Sequence, residues 1–313
     1  MIELFRSPNF NFIGRRRWAY LISILFILTG IGSMVAKGGL RYGIDFSGGT
    51  LIQIRFEKPV SVDRIRHVLE TVQMGESVIQ EFGDEREYLL RLPLAERSSE
   101  EVTRRTQEAL AKDAELGKAE IRRVEFVGPQ VGRDLQIQAL YAVLWSMVGI
   151  LAYIAIRFDL LGGLASVAAI IHDVLVCLSA MSLTNREMSL AILAALLTII
   201  GYSVNDTIVA YDRVRENRAK GGRRKGETFE TQINTAINQT LSRTVLTAVT
   251  VFFTTAVLYL FGGKVMEDMA FVLCIGVITG TYSTIYIAGS LIVDWAGWRG
   301  RWVAKRKKAV AKA

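Results

Sequence analysis

The chain has 313 residues, of which 51% are hydrophobic and 22% are charged, and its formal net charge is +8. This hydrophobic share is too high for an ordinary soluble domain of this length, so the charges must be concentrated in separate parts of the chain. The composition therefore indicates a membrane protein. Binding to nucleic acid is not predicted despite the positive charge, because no basic patch with interleaved aromatic residues is present.

Six apolar stretches are long enough to cross a bilayer as helices, and they form the predicted transmembrane core. The second and third are separated only by Arg157-Phe158-Asp159, which predicts a tight helical hairpin. Cys177 and Cys274 fall within predicted spans and are interpreted as small apolar packing residues, without a disulfide or a metal framework. The predicted spans are 18–36, 135–156, 160–183, 188–211, 244–261 and 269–293.

Basic residues predict the orientation of these spans. If the six spans alternate in direction, every basic cluster falls on one side of the membrane, and the positive-inside rule makes that side the cytoplasm. Both termini are therefore predicted to be cytoplasmic, and the basic face is expected to meet anionic lipids. The basic clusters are 15–17, 157, 213–225 and 299–312. The predicted cytoplasmic segments are the N-terminus 1–17, the loop 212–243 and the basic tail 294–313.

A polar segment, residues 37–134, separates the first two spans and is predicted to be extracytoplasmic. Its pattern of strand, helix, strand, strand, helix and strand predicts a small ferredoxin-like α+β domain. His67 has no evident second ligand or catalytic partner, so we interpret it as a solvated or packed side chain. The predicted strands are 44–56, 78–82, 88–92 and 121–126, and the predicted helices are 61–72, with Ser61 as N-cap, and 99–116.

Two glycine-containing stretches flank this domain, "GIDFSGGT" (43–50) and "VEFVGPQVG" (124–132). The first lacks the Lys-Ser/Thr pair of a phosphate-binding loop, so its paired glycines are interpreted as permitting a bulge or a close backbone approach within a strand. Pro129 between glycines predicts a hinge or a shaped connector. The candidate structural residues are Gly43, Asp45, Gly48, Gly49, Gly128 and Pro129.

Asp206 lies in the apolar part of "GYSVNDTIVAYDRVREN" (201–217), before the charged part begins. A carboxylate inside a membrane helix is costly and usually faces a protein interior or a water-filled cavity. Arg243, at the start of the fifth span, is the candidate partner. Desolvation and a nearby cation act on a carboxyl group in opposite directions, so a structural change can alter its protonation. Two alternatives follow: a proton relay, or a static interhelical salt bridge.

Further polar residues lie within the spans. Arg243 begins a 4, 3, 4 spacing that places it on one helical face with three threonines. These threonines either line a hydrated path or bond carbonyls of their own helix. His172 and Asp173 are adjacent in the third span, so we expect them to point in different directions and not to face one partner; Asp173 is a second relay group or a polar link between helices. The candidate relay or lining residues are Asn205, Asp173, His172, Thr247, Thr250 and Thr254.

"GIDFSGGT", "VEFVGPQVG", "IIHDV" (170–174) and "GYSVNDTIVAYDRVREN" occur in this order around six predicted spans. Together they closely resemble the SecF members of the SecD/SecF protein-export family, within the resistance–nodulation–division superfamily. The resemblance covers nearly the whole chain except the basic tail. It implies a multi-pass protein of the bacterial inner membrane that supplies one pseudo-symmetric half of a transmembrane core, with SecD supplying the other half.

The resemblance also implies a function and partners. Asp206 of the Asn-Asp pair and Arg243 match groups implicated in proton transport, and proton flow would be coupled to late steps of preprotein translocation. The implied partners are SecD, the Sec translocon channel, a small accessory membrane subunit and the preprotein.

Three other classes of function compete with this interpretation. A half-transporter of the same superfamily would export lipid or small molecules, but one half and one small outer domain argue against independent transport. A passive scaffold needs no titratable group inside the bundle, so Asp206 counts against it. An enzyme is not predicted, and no cofactor is expected, because no nucleophile–base set, metal cluster or nucleotide loop is present.

Overall fold

The computed structural model of the chain describes residue 5 and residues 8–75, 77–92, 99–113, 115–221 and 228–310. For residues 99, 220–221 and 300–310 only the backbone is described. Parts of the predicted N-terminal segment, of the loop 212–243 and of the basic tail lie outside the described residues, including the basic residues within 222–227 and 311–313.

A helical bundle and a small α+β domain make up the described chain, which confirms the predicted fold class. Six helical segments of the described part are long and apolar enough to cross a membrane, as predicted. In chain order the helices are α1 (Arg16–Ala36), α2 (Ile44–Ser47), α3 (Val62–Thr71), α4 (Ser99–Lys112), α5 (Pro129–Arg157), α6 (Leu160–Leu183), α7 (Leu190–Gly221), α8 (Phe229–Phe261), α9 (Gly263–Tyr282) and α10 (Gly289–Val310). The strands are β1 (Gly49–Phe56), β2 (Val78–Phe82), β3 (Asp84–Leu92) and β4 (Ala119–Val127).

The membrane helices extend beyond the predicted apolar spans. The fourth span continues as α7 to Gly221 and the fifth begins as α8 at Phe229, so the predicted loop 212–243 is helical over most of its length. Charged side chains support this extension, since Arg213 pairs with Glu216 at one helical turn. Thr228 caps α8 by accepting a hydrogen bond from the Thr231 amide. Hydropathy marks the lipid-embedded part of a helix, not its end.

Of the two forms predicted at Pro129, a hinge or a shaped connector, the structure contains the connector. Pro129 is the first residue of α5, with Gly128 at the N-cap in extended conformation. A proline at this position loses no helical hydrogen bond, and its fixed φ suits the first turn. Pro129 therefore starts the second span directly after β4 and does not form a separate hinge.

The sixth span is formed by α9, a π-helical stretch at Ser283–Ala288, and α10. π-helical turns are rare, and they frequently occur at functional positions because they shift the register of the following side chains. Here the stretch begins at Ser283, a residue buried in the centre of the bundle.

The α+β domain has one antiparallel sheet with strand order β2-β3-β1-β4. This is the arrangement expected of a βαββαβ ferredoxin-like domain, so the prediction is confirmed. Ser61 caps α3 as predicted, by accepting from the Arg64 amide. The apolar faces of α3 and α4 pack on one side of the sheet through fully buried residues, namely Ile52, Ile54, Ile65, Leu69, Leu90 and Leu110.

The predicted strand 44–56 is wrong at its beginning, because Ile44–Ser47 forms the short helix α2. Gly48 (φ 72°) and Gly49 (φ 135°) then turn the chain into β1. Residues other than glycine rarely adopt backbone conformations with such positive φ angles. A Cβ atom on Gly49 would also lie 2.7 Å from the carbonyl oxygen of Leu92. The paired glycines thus permit a helix-to-strand turn and a close backbone approach, which agrees with the structural interpretation of the motif.

The spans differ in how much of their surface this chain covers. About half of the apolar window is buried in the fourth span (50%) and in the sixth (56%), whereas only 11% is buried in the fifth and 6% in the second. Small residues allow close packing in the centre: a Cβ on Gly276 would overlap Ile199. The fifth span therefore carries a large face that no other described part of the chain covers.

Candidate functional site

Asp206 lies on α7, in the interior of the bundle, with only 2% of its surface exposed. Its Oδ2 atom is buried and has no hydrogen-bond partner among the described residues. The next residue, Thr207, is 3.2 Å from the Thr284 hydroxyl across to the sixth span. A buried carboxylate oxygen without a donor is costly, so this side chain is not explained by packing alone.

Arg243 lies on α8 and its side chain is exposed in this chain. It is close enough to interact electrostatically with Asp206. Within the described residues no ion pair joins the two side chains, since their charged atoms are more than 4.0 Å apart. The candidate pair is thus neighbouring but open, and a static salt bridge does not describe this arrangement.

The threonine stripe on α8 satisfies its hydrogen bonds within its own helix. Thr247 donates to the Arg243 carbonyl at 3.0 Å, Thr250 to the Thr247 carbonyl at 2.8 Å, and Thr254 to the Val251 carbonyl at 2.8 Å. This is the local bonding that threonines commonly adopt in membrane helices. Thr250 and Thr254 are nevertheless exposed, as Arg243 is, on the face of α8 that the described chain leaves uncovered.

Asp173, on α6, is the centre of a second polar cluster and is 1% exposed. Its Oδ2 atom accepts hydrogen bonds from Ser203 at 2.6 Å and from Ser283 at 2.8 Å. Its Oδ1 atom accepts from Thr279 at 3.3 Å. These donors belong to the fourth and sixth spans, so Asp173 links three spans and both of its oxygens have partners.

His172 extends this cluster to the first span. Its Nε2 atom lies 2.9 Å from the Ser23 hydroxyl, and its ring stacks on Tyr282 with 6.0 Å between ring centroids. Its Nδ1 atom lies 3.0 Å from Asp173 Oδ1. The expectation that the two adjacent side chains point apart is therefore wrong: they contact each other and both contact the sixth span. The imidazole ring is long enough to reach back to its neighbour.

Sequence reasoning identified the acidic members of these clusters but missed most of their partners. Ser203 lies three residues before Asp206 on the same helix, and Ser23 lies in the middle of the first span. The signal that could have identified these serines is a polar residue within an apolar span. Serines are common in such spans, so a single serine does not indicate a buried polar cluster. Asn205 is exposed on α7 and does not share the buried position of its neighbour Asp206.

His67 is exposed on α3, 3.8 Å from Glu70, which agrees with its interpretation as a solvated residue. The described part of the chain contains no group of three or more His, Cys, Asp or Glu residues arranged to hold a metal ion.

The "GIDFSGGT" segment contacts the N-terminal parts of two spans, α5 and α7. The Gly43 amide donates to the Met188 carbonyl at 2.8 Å, and Asp45 Oδ2 accepts from the Leu190 amide at 2.9 Å, at the start of α7. Gln136 on α5 donates to the Phe46 carbonyl at 2.7 Å. The motif thus forms the connection between the α+β domain and the bundle.

Comparison with known proteins gives a consistent result. The family model described as "Protein export membrane protein SecD/SecF, C-terminal" matches residues 106–298, and the model described as "SecD/SecF GG Motif" matches residues 33–60. "Protein translocase subunit SecF" of Calditerrivibrio nitroreducens is 41% identical, over 93% of this chain and 96% of the relative. The protein of the same name from Desulfurispirillum indicum is 42% identical, over 91% of each chain.

Two solved structures of SecDF share the fold. The crystal structure of SecDF, a translocon-associated membrane protein from Thermus thermophilus, superposes with a TM-score of 0.81 at 37% identity, covering 93% of this chain and 39% of that chain. SecDF in the "Super-membrane-facing form" gives a TM-score of 0.71 at 38% identity, covering 96% and 41%. This chain therefore spans about two fifths of those longer chains. On these matches, the chain belongs to the SecD/SecF family of protein-export membrane proteins, as a SecF-type subunit of the protein translocase.

Proposed function

We propose that the chain couples proton flow to late steps of preprotein translocation across the bacterial inner membrane, in a complex with SecD. The observation that carries the proposal is Asp206: a buried carboxylate within a membrane span, with one oxygen unpartnered and Arg243 nearby but not in contact. A group in this position can bind a proton in one conformation and pair with the arginine in another.

The uncovered face of α8 supports the proposal that a partner chain supplies the second half of the transmembrane core. Arg243 is exposed on this face in the single chain, and charged side chains within membrane spans usually face protein or a water-filled cavity. A covering partner would supply such surroundings for this face. The SecDF chains of known structure are more than twice as long as the matched region, which fits a partner half of SecD type.

In the proposed cycle, an open Asp206 accepts a proton that reaches it along the exposed polar face of α8. Asp206 then releases the proton to the cytoplasmic side, and its charged carboxylate favours contact with Arg243, which draws α7 and α8 together. Thr247, Thr250 and Thr254 line that face. Each charge that crosses the membrane releases about 2.3 kcal/mol per 100 mV, so repeated cycles are needed to bias a polypeptide against sliding back.

We assign Asp173 and His172 to the structural framework and not to the relay. Asp173 accepts from three hydroxyls on two other spans, so both of its oxygens already have hydrogen-bond partners. A relay group must exchange partners, whereas a group held by several short contacts from different helices is suited to fixing their positions. Asn205, exposed beside Asp206, belongs to the lining of the partner interface.

The proposed partners beyond SecD are the translocon channel, a small accessory membrane subunit, the emerging preprotein and anionic lipids at the basic face. Independent export of lipid or small molecules is not favoured, because the relatives described above are named as protein translocase subunits.

The test of this function is reconstitution of the chain with and without a SecD-type partner in vesicles that contain a translocation intermediate. Gradient-dependent release of the preprotein should require both chains and should stop when a protonophore collapses the gradient. Equal release without the gradient would contradict the proposal.

The proposed orientation places both termini in the cytoplasm and the α+β domain outside. On a background lacking Cys177 and Cys274, Glu100→Cys should react with an impermeant thiol reagent in intact cells, and Asp212→Cys should react only after the membrane is opened. Both residues are exposed, so accessibility within the fold is matched. The reverse labelling pattern would show that the orientation is wrong.

A further inference from the structure

The fourth span receives part of its N-terminal cap from the outer domain. The first amides of a helix lack partners within the helix and need external acceptors. The Ser189 hydroxyl oxygen, from the residue just before α7, accepts a hydrogen bond from the Ile192 amide at 3.3 Å. The Leu190 amide instead donates to Asp45 Oδ2 at 2.9 Å, and Asp45 lies 145 residues earlier in the chain. A carboxylate at this end also interacts favourably with the helix dipole.

Further contacts fix the same junction. The Met188 amide donates to the Arg41 carbonyl at 2.7 Å and the Gly43 amide donates to the Met188 carbonyl at 2.8 Å, so Tyr42 and Met188 pair as a short parallel bridge. Beside this bridge, Glu187 forms an ion pair with Arg91 on β3. The junction therefore ties the entrance of α7 to both the glycine motif and the sheet.

The second span approaches the junction from the other side. A Cβ on Gly132 would lie 2.8 Å from the Phe46 carbonyl oxygen, so α5 and α2 are in backbone contact. The short helix α2 is thus held between the starts of α5 and α7. Immediately after α2, the chain enters β1, which is an inner strand of the sheet.

The same helix that Asp45 caps also carries Asp206. From Leu190 to Asp206 is sixteen residues of uninterrupted helix, or about 24 Å at 1.5 Å per residue. We propose that Asp45 is a positioning residue that couples the outer domain to the fourth span, so that a displacement of α7 caused at Asp206 moves the domain as one body with the helix. The inference rests on the proposed function, because it assigns to the relay helix the task of moving the domain.

The proposal predicts separate effects on the junction, on proton flow and on release. Asp45→Ala removes the acceptor, whereas Asp45→Asn keeps a side-chain oxygen that caps helices about as well. In the full chain with its SecD-type partner, on the background lacking Cys177 and Cys274, Tyr42→Cys with Met188→Cys reports closure of the junction by disulfide formation. We expect Asp45→Ala to slow cross-linking about fivefold, as loss of one N-cap predicts. Asp45→Asn and the control Asp63→Ala, an exposed acid of the same domain, should cross-link at the unaltered rate.

In vesicles, Asp45→Ala should retain proton influx but slow gradient-dependent release about fivefold, Asp45→Asn should retain both, and the cross-linked junction should still support release. Normal cross-linking and release in Asp45→Ala, or loss of release on cross-linking, would overturn the proposal. The cross-linking rates test the junction without any proton gradient. If the unaltered complex shows no gradient-dependent release, the proposed function fails, while the cross-linking result still decides whether Asp45 closes the junction.

Discussion

Asp206→Asn is expected to abolish gradient-dependent preprotein release while leaving the complex with SecD assembled. Asparagine resembles the protonated carboxyl group in size and charge but cannot bind and release a proton. It should fit the site, since Asp206 is buried and one of its oxygens makes no hydrogen bond in the described chain. Release should fall at least about a hundredfold, the lower end of what a positioned proton-transfer group contributes.

The measurement is release from vesicles at a fixed proton gradient, with assembly checked separately by copurification of the two chains. Asp212→Asn is a matched control, because Asp212 is an exposed acid six residues further along the same helix. It should leave release unchanged. Normal release by Asp206→Asn would reduce Asp206 to a structural polar contact and remove the proton relay from the proposal.

Arg243 should behave as the partner of the charged state of Asp206. Its guanidinium is exposed on α8 and makes no ion pair within the described residues, so replacing it should disturb the fold of this chain little. Lysine keeps the charge but lacks the planar fork that binds a carboxylate with two hydrogen bonds. The contact that the proposed cycle requires is therefore specific to arginine, although both residues are cations.

The helical bundle and the α+β domain could be predicted from the sequence because their signals are local. An apolar stretch of about 20 residues is sufficient to mark a membrane helix, and the alternation of strand and helix patterns predicted the order of elements in the α+β domain. Asp206 was found in the same way, because a carboxylate in an apolar stretch is costly wherever it lies. Each of these inferences needs only one segment of the chain.

The partners of these groups could not be predicted, because they depend on how separate segments are rotated against each other. Asp173 meets Ser203 and Ser283 only when three spans pack in one register. The helix α2 was missed because four residues do not form a stable helix alone, and contacts from Gln136 and Leu190 hold it. The separation between the Asp206 and Arg243 side chains could not be predicted either. Arg243 lies on the face of α8 that a second chain is proposed to cover, and the sequence of one chain does not describe that contact.

The contrast between the two buried acids gives the last prediction. Asp206 has an unpartnered oxygen, whereas Asp173 is contacted by Ser203, Ser283, Thr279 and His172. We expect Asp173→Ala to destabilise the chain by about 2–3 kcal/mol, because each side-chain hydrogen bond in a membrane bundle contributes about 0.6 kcal/mol. Its loss also leaves buried hydroxyls without an acceptor. The unfolding midpoint in mixed micelles with increasing SDS measures this change.

Asp173→Asn separates a structural role from a relay role. Its amide oxygen can accept from Ser203 and Ser283 at the place of Oδ2, while its amide nitrogen can donate to the Thr279 hydroxyl and to His172 Nδ1 at the place of Oδ1. Most of the stability should therefore return, and gradient-dependent release should remain near that of the unaltered complex. A variant as stable as the unaltered chain but unable to support release would instead place Asp173 on the proton path. Unlike Asp206→Asn, this substitution should be silent, because Asp173 holds helices together and does not exchange its partners.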